Sequence, residues 1–426
     1  MTAISFDPFS EALRANPYPH YAALRRQAPV YRVESSGNYV VSRYTDVRYV
    51  LRHPELFSSS AMQSMMLSGF VPGAGTPGMG FSGADAARLV ELMRELPISL
   101  PEVLGSRSLI ASDPPAHSPM RSLVNRGFTP RRIAALEPRI RAIARAALDA
   151  VENKCEFDLV HDFSIPLPVT VIAEMLGVEP DRHADFKRWS DCIISGITGA
   201  AAGLRPEILL QVFKELSEYV TGVIEARRTQ PREDLISTLT HAEDGETALT
   251  PVEILMFTLL LLVAGNETTT NLLGNAMLAL LAHPAELARV QRDPGLIPGL
   301  VEEALRFDSP AQFVFRRATR DVELAGTCIP AGATVMPLIG SANRDDAQFP
   351  DADRFDVGRN PQGHLGFGVG IHFCLGASLA RLEARVALEA LLTRFSALER
   401  LESDIAYIDS FLVRGPQRLA LRFQIA

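Results

Sequence analysis

The chain has 426 residues, of which 47% are hydrophobic and 22% charged, and a net charge of −8. It is long enough to bury a large core, and its acidic balance argues against nucleic acid as the main partner. Four cysteines, Cys155, Cys192, Cys328 and Cys374, lie far apart with no CxxC pair, which excludes a disulfide framework or zinc spacing and fits a reducing interior.

Met1 to Arg14 carries no apolar run of signal-peptide type. The most apolar stretch, Ile254 to Ala264, falls well short of the roughly 20 residues a membrane span needs. No linker, low-complexity tail or repeat interrupts the chain. One unit over residues 1–426, cytoplasmic and without a membrane anchor, is therefore expected.

In chain order, Tyr18 to Ala28 has the spacing of a short amphipathic helix. Val30 to Val33 and Tyr39 to Val41 flank the turn Ser35 to Asn38, which contains Gly37, and predict a hairpin. Thr45 to His53 returns to helical spacing. Ser58 to Gly83 is rich in Gly, Ser and Met, has no clean period and predicts a loop or lid, with Met62, Met65, Met66 and Met79 able to repack around ligands. Helices are predicted over Ala84–Glu95, Pro130–Val151, Pro206–Arg227, Pro251–Leu281, Leu296–Phe307 and Gly376–Phe395. Short strands are predicted at Val322–Leu324, Thr334–Leu338 and Leu419–Phe423. This pattern predicts a mainly α fold with small segregated β-sheets.

Four groups of residues carry chemistry. The first is Phe367-Gly368-Val369-Gly370-Ile371-His372-Phe373-Cys374-Leu375-Gly376, a cysteine at the end of a glycine-punctuated loop directly before a helix. The glycines permit tight turns and close approach of a flat group, and the helix N-terminus favours a thiolate. Such a thiolate is suited to haem iron, where it favours O–O cleavage; a buried inert cysteine is the other reading of Cys374 alone.

The second group, Ala264-Gly265-Asn266-Glu267-Thr268-Thr269, places a glycine, an acid and hydroxyls in mid-helix after an apolar run. That is poor helix design, and a buried carboxylate beside a hydroxyl asks for a reason. The third, Glu302-Glu303-Ala304-Leu305-Arg306, sets Glu303 and Arg306 on one helix face, which by itself describes an ordinary ion pair. The fourth is cationic: His117 and Arg121 four apart after Asp113-Pro114-Pro115-Ala116, then Arg316 and His372. Arginine forks and histidine donors are what cofactor carboxylates call for.

Together these segments resemble the bacterial cytochrome P-450 family, whose haem loop reads Phe-Gly-x-Gly-x-His-x-Cys-x-Gly. The resemblance runs from about Tyr18 to the C-terminus, with motifs in family order. It implies a cytochrome P-450 fold, a triangular prism with haem b (iron protoporphyrin IX) between the long oxygen-activation helix and the cysteine-loop helix. Cys374 would ligate the iron. His117, Arg121, Ala264, Arg316, Phe367, His372 and Gly376 would contact the cofactor. Thr268 and Glu267 would be the alcohol and acid that deliver protons for O–O cleavage. Glu303, Arg306 and Arg354 would form a buried charge network supporting the haem loop. Asp346 departs from the family pattern, standing where proline is usual after Ala342-Asn343-Arg344-Asp345, which places a turn in doubt.

The resemblance further implies a monooxygenase that uses O2. Leu260, Val263, Ala311, Val314, Phe411 and Leu412 would line an uncharged pocket for a terpenoid, steroid or fatty-acid-like substrate. Electrons would come from a ferredoxin or flavodoxin with its reductase, docking near Arg126, Arg131 and Arg132; a monomer is expected. A peroxide-driven peroxygenase and a non-catalytic haem-thiolate gas-binding protein are the alternatives. Retention of Glu267-Thr268 counts against the first, and the lack of a signalling domain against the second.

Overall fold

A computed structural model describes residues 5–67, 91, 100–198, 206–241 and 248–425. Helices dominate, and short strands gather into three small sheets.

The central element is the helix Pro251–Ala282. Its start is set by a reciprocal cap. The Thr250 hydroxyl accepts from the Glu253 amide at 3.2 Å, and the Glu253 carboxylate accepts from the Thr250 amide at 2.9 Å. Pro251 occupies the first turn, where its missing N–H costs nothing. By length and hydropathy this helix, like Leu159–Leu176, would suffice to cross a bilayer. Here it packs against Pro166–Leu176, His183–Thr198, Pro206–Thr229, Ile297–Phe307 and Ala377–Arg394, so its apolar surface is core. Gly265 has a packing reason: a Cβ there would lie 3.1 Å from Ile172 Cδ1, so the glycine lets Pro166–Leu176 approach closely.

The largest sheet runs in the order Val30–Arg32, Tyr39–Val41, Thr334–Pro337, Arg316–Ala318, Phe57–Ser58. The predicted hairpin is present, with Val30 opposite Val41 and Gly37 at positive φ in the turn. A second sheet joins Glu156–Asp158 to Ala420–Ile425 and then Phe395–Arg400, and a third pairs Val322–Leu324 with Thr327–Ile329.

Several predicted boundaries move. Pro130–Val151 is two helices, Pro130–Ala135 and Glu137–Asp149, because Pro138 has no amide to carry a helical ladder through. The last helix ends at Arg394, and Phe395 opens a strand whose partner is Ala420–Ile425 rather than Leu419–Phe423. The front of the predicted Ser58–Gly83 loop is a helix, Ser60–Leu67. Met62 there is core, grouped with Phe313 and Phe315 and touching the Phe315 amide with its sulfur at 3.4 Å. Residues 68–83 of that stretch, and the helix expected over Ala84–Glu95 apart from Glu91, lie outside the described residues.

The charge network expected around Glu303 differs in one member. Glu303 and Arg306 are fully buried and joined through two contacts of 2.8 Å. The second arginine on Glu303 is Arg359, at 3.2 Å, and not Arg354, which is largely exposed and lies 3.5 Å from Asp356. The reason is geometric. Backbone carbonyls of Pro350, Asp351 and Arg354 all accept from Arg359, so the meander wraps that guanidinium, while Arg354 offers its carbonyl and turns its side chain outward. At Asp346 the expected turn forms without proline: its carboxylate accepts from the Ala352 amide at 3.0 Å.

Removing one partner of a buried, fully hydrogen-bonded ion pair costs about 3–5 kcal/mol, whereas surface changes stay within about 0.5 kcal/mol. Glu303→Gln is therefore expected to lower the denaturant midpoint of the holo-protein strongly, and Arg354→Ala to leave it nearly unchanged. Equal losses in the two variants would restore Arg354 to the network.

Candidate active site

Cys374 sits where three constraints meet. Its amide donates to the Phe367 carbonyl at 2.9 Å, which closes the loop on itself. Gly368 and Gly370 have φ of 68° and 82°, the left-handed region that favours glycine. A Cβ on Gly370 would also lie 2.9 Å from the Leu51 carbonyl oxygen, so this turn seats against the Tyr44–Arg52 helix. Gly376 begins the following helix, and its amide points at the sulfur. Burial pushes the thiol up, while that amide, Arg121 and Arg381 pull it back toward the thiolate.

The cationic group predicted for cofactor carboxylates is brought together around this loop. The rings of His117 and His372 lie 4.5 Å apart. His372 Nε2 meets the Ser59 hydroxyl at 2.8 Å. Asp113 lies 4.0 Å from the same nitrogen, beyond hydrogen-bond reach. Burial would raise the Asp113 carboxyl, but the His372 contact, the Ser58 hydroxyl and the Ser59 amide hold it at about 2.

Burial drives His117 down to about 4, with His372 and Arg121 adding to the effect, so its ring is neutral. Its Nε2 is buried without a hydrogen-bond partner. Arg316 is buried, and burial lowers it to about 10; it donates to the neighbouring Phe315 carbonyl at 2.8 Å. An orphaned buried donor and a desolvated guanidinium beside a cysteine loop are a poor end state by themselves. They suit a flat cofactor with anionic edge groups, and the residues present fit haem.

On the long helix the polar hexapeptide spreads its groups around the axis. Asn266 donates to the Ser190 hydroxyl at 2.8 Å, and Thr270 to the Ser164 carbonyl at 3.1 Å. Thr268 donates to the Ala264 carbonyl at 2.8 Å. Helical assignment continues through this segment, so the expected opening is not a break in the helix; it is a hydroxyl placed on the preceding turn. Leu260, Val263, Ala264, Glu267 and Thr268 recur at helical spacing. Ala264 is exposed and Thr268 half-buried, while Asn266 and Thr269 are buried. Burial raises the Glu267 carboxyl, Asn271 opposes, and Asp191 adds to the rise. An acid moved toward neutrality is better matched to proton delivery than an ordinary one.

The two other expected walls are zipped together. Ala311 bridges Val413, and the Gln312 amide donates to the Leu412 carbonyl at 2.9 Å. Val314, Phe411 and Leu412 are half-buried against an apolar cluster that includes Phe313 and Phe315. The Phe411 ring packs among Phe9, Phe313 and Phe315, with centroids 5.5 to 6.4 Å away. Arg126, Arg131 and Arg132 are exposed, and Arg132 donates to the Thr238 hydroxyl at 2.9 Å.

Two features escape sequence reasoning. Glu302, the neighbour of the network acid, binds Arg381 through two contacts, of 2.6 and 2.9 Å, and His364 at 2.9 Å. Glu383 is almost fully buried on the cysteine-loop helix beside Thr269 of the long helix, and its Oε1 has no hydrogen-bond partner. Burial raises Glu383 to about 8 against an ordinary value of 4.5. A helical phase that turns it inward among Leu382, Ala384 and Val386 was the available signal.

Comparisons with known proteins agree with this geometry. The family model described as Cytochrome P450 matches residues 204–294 and 296–423. The chain is 37% identical over 420 residues to cytochrome P450 107B1 of Saccharopolyspora erythraea, covering 97% of this chain and 96% of that one. Among solved structures, cytochrome P450 CYP109Q5 from Chondromyces apiculatus superposes with a TM-score of 0.84 at 42% identity, over 99% of both chains. CYP109E1 from Bacillus megaterium, in complex with testosterone, gives 0.79 at 37% identity, over 96% of this chain and 99% of that one.

Glu383 supplies a pH test. The folded protein keeps its proton up to about pH 8, whereas an unfolded glutamate loses it near 4.5. Stability from this group is full below the lower value and declines as pH rises toward the upper, by up to about 1.4 kcal/mol per pH unit. Glu383→Gln is expected to remove that decline. Denaturant midpoints between about pH 5 and about pH 8 check it, and parallel wild-type and variant profiles would contradict it.

Proposed function

Because the chain belongs to the cytochrome P450 family and is a monooxygenase, we propose that it inserts one oxygen atom of O2 into a mostly apolar small molecule of terpenoid, steroid or fatty-acid type. The observation that carries this reading is the set of buried, under-partnered cationic and imidazole groups gathered round the Cys374 loop.

Haem b, when bound, supplies the oxygen and electron-transfer chemistry. The chain supplies the rest. Cys374 is the iron ligand, presented by the Phe367 carbonyl and the Gly376 amide. Arg121, Arg316, His117 and His372 hold the cofactor's carboxylates. Ala264, small and exposed, would contact the bound cofactor, as would Phe367 from the cysteine loop. Thr268 Oγ1 and the Glu267 carboxyl hold and pass protons to the reacting oxygen, the acid from a partly desolvated position.

Leu260, Val263, Ala311, Val314, Phe411 and Leu412 bear no charge and exclude water, which favours an apolar substrate. The testosterone complex of CYP109E1 supports the steroid-like end of that range. A ferredoxin or flavodoxin, with its reductase, is the electron source in this reading. Such donors are acidic, and Arg126, Arg131 and Arg132 offer the matching charge. The working compartment is the cytoplasm and the working unit a monomer.

Cys374→Ser is expected to abolish the red-displaced absorption of the reduced carbonyl adduct; its persistence would end the haem-thiolate reading. Glu267→Gln is expected to keep haem content and lower turnover with O2 and a surrogate reductase by about 10²–10⁴. A substrate screen by haem spin-state shift, followed by product identification, identifies the molecule. Turnover with peroxide but none with reductase would instead identify a peroxygenase.

A further inference from the structure

Glu302 joins three elements on the cysteine side. It lies on the helix Ile297–Phe307, Arg381 on the helix Ala377–Arg394, and His364 in the loop that leads to Cys374. The Arg381 Nε and Nη2 donate to the two Glu302 oxygens at 2.6 and 2.9 Å, a fork-to-fork pair. His364 Nδ1 accepts from the Gly366 amide at 3.1 Å, so its Nε2 carries the proton donated to Glu302 at 2.9 Å. This tautomer leaves the imidazole neutral, and the cluster holds one cation and one anion.

The held guanidinium lies over the face of Phe367, 4.5 Å from the ring centroid. Phe367 is the residue whose carbonyl takes the Cys374 amide. Arg381 is thus held by Glu302 with its charge over the ring. None of the roles assigned above uses this arrangement.

We propose that Glu302 and Arg381 form an oriented charge pair that sets the reduction potential of the bound haem, with Arg381 as a positioning residue acting across Phe367. The proposal rests on the haem-thiolate reading. One electron from the external iron–sulfur or flavin donor reduces ferric to ferrous haem, and the net charge of the site falls by one. A fixed cation nearby favours the more negative state, and a nearby anion disfavours it. Arg381 is the member of the pair that lies over the Phe367 ring, so the pair as built favours reduction.

The test is a spectroelectrochemical titration of the ferric/ferrous couple in holo-protein. Arg381→Met is expected to shift the midpoint to more negative potential, and Glu302→Gln to shift it to more positive potential. The double variant is expected to fall between the two singles. A purely structural role would move both singles the same way, through a loosened loop, or show only loss of haem; shifts of the same sign, or no shift in haem-loaded variants, overturn the proposal. If Arg381→Met fails to bind haem, Arg381→Gln removes the charge while keeping a hydrogen-bond donor, and its shift set against that of Glu302→Gln gives the same comparison of signs. Failure of the haem-thiolate reading is separate, since it is read from the carbonyl adduct of Cys374→Ser.

Discussion

A guanidinium with no exposed surface is tolerable only when each donor has an acceptor. Arg306 meets that condition by taking the Glu303 carboxylate, the carbonyls of Asn343 and Ala352 at 2.9 and 2.8 Å, and the Arg354 carbonyl at 3.2 Å. The acceptors come from the helix and from the meander that follows it, so burial of one charge forces irregular chain into one path. Asn343 extends the same logic, since its side-chain oxygen accepts from the Leu365 amide at 2.7 Å, two residues before Phe367. The cysteine loop is placed by backbone groups counted off from a buried arginine.

The long helix solves a different problem. It must be apolar enough to run through the core and still carry an acid and several hydroxyls. It does so by angular separation. Asn266, Thr269 and Thr270 face buried partners in neighbouring elements, while Ala264, Glu267 and Thr268 share the less buried side. Gly265, costly in an isolated helix by roughly 1 kcal/mol, is the point at which Ile172 comes close. A residue that reads as a helix defect is a packing contact two residues from Glu267.

What was legible in the sequence follows from locality. The cysteine loop, the His117–Arg121 pair and Glu303–Arg306 are each defined within a few residues, so helical spacing or a contiguous motif exposes them. Arg359 was missed because Arg354 and Arg359 stand in one meander, and wrapping by carbonyls, not residue type, decides which turns inward. Three-residue strands such as Arg316–Ala318 and Glu156–Asp158 are too short to show a period, and their partners lie far away in the chain. Glu302, His364 and Arg381 meet only after three elements have packed. The six substrate-pocket positions rest on the family likeness, and for Phe411 the structure adds an aromatic cluster that spacing does not reveal.

The electrostatics around Cys374 are deliberately incomplete in physical terms. Burial alone would leave a neutral thiol, and one amide plus two arginines offset only part of that tendency. In the haem-thiolate reading the charge of the metal would complete that ionisation, coupling binding to the ionisation of its ligand. The two arginines differ in kind. In the proposed reading Arg121 would receive a cofactor carboxylate, which would balance its charge. Arg381 is balanced beforehand by Glu302. One cation is thus left open for a cofactor's edge in the proposed reading, while the other is already paired within the fold.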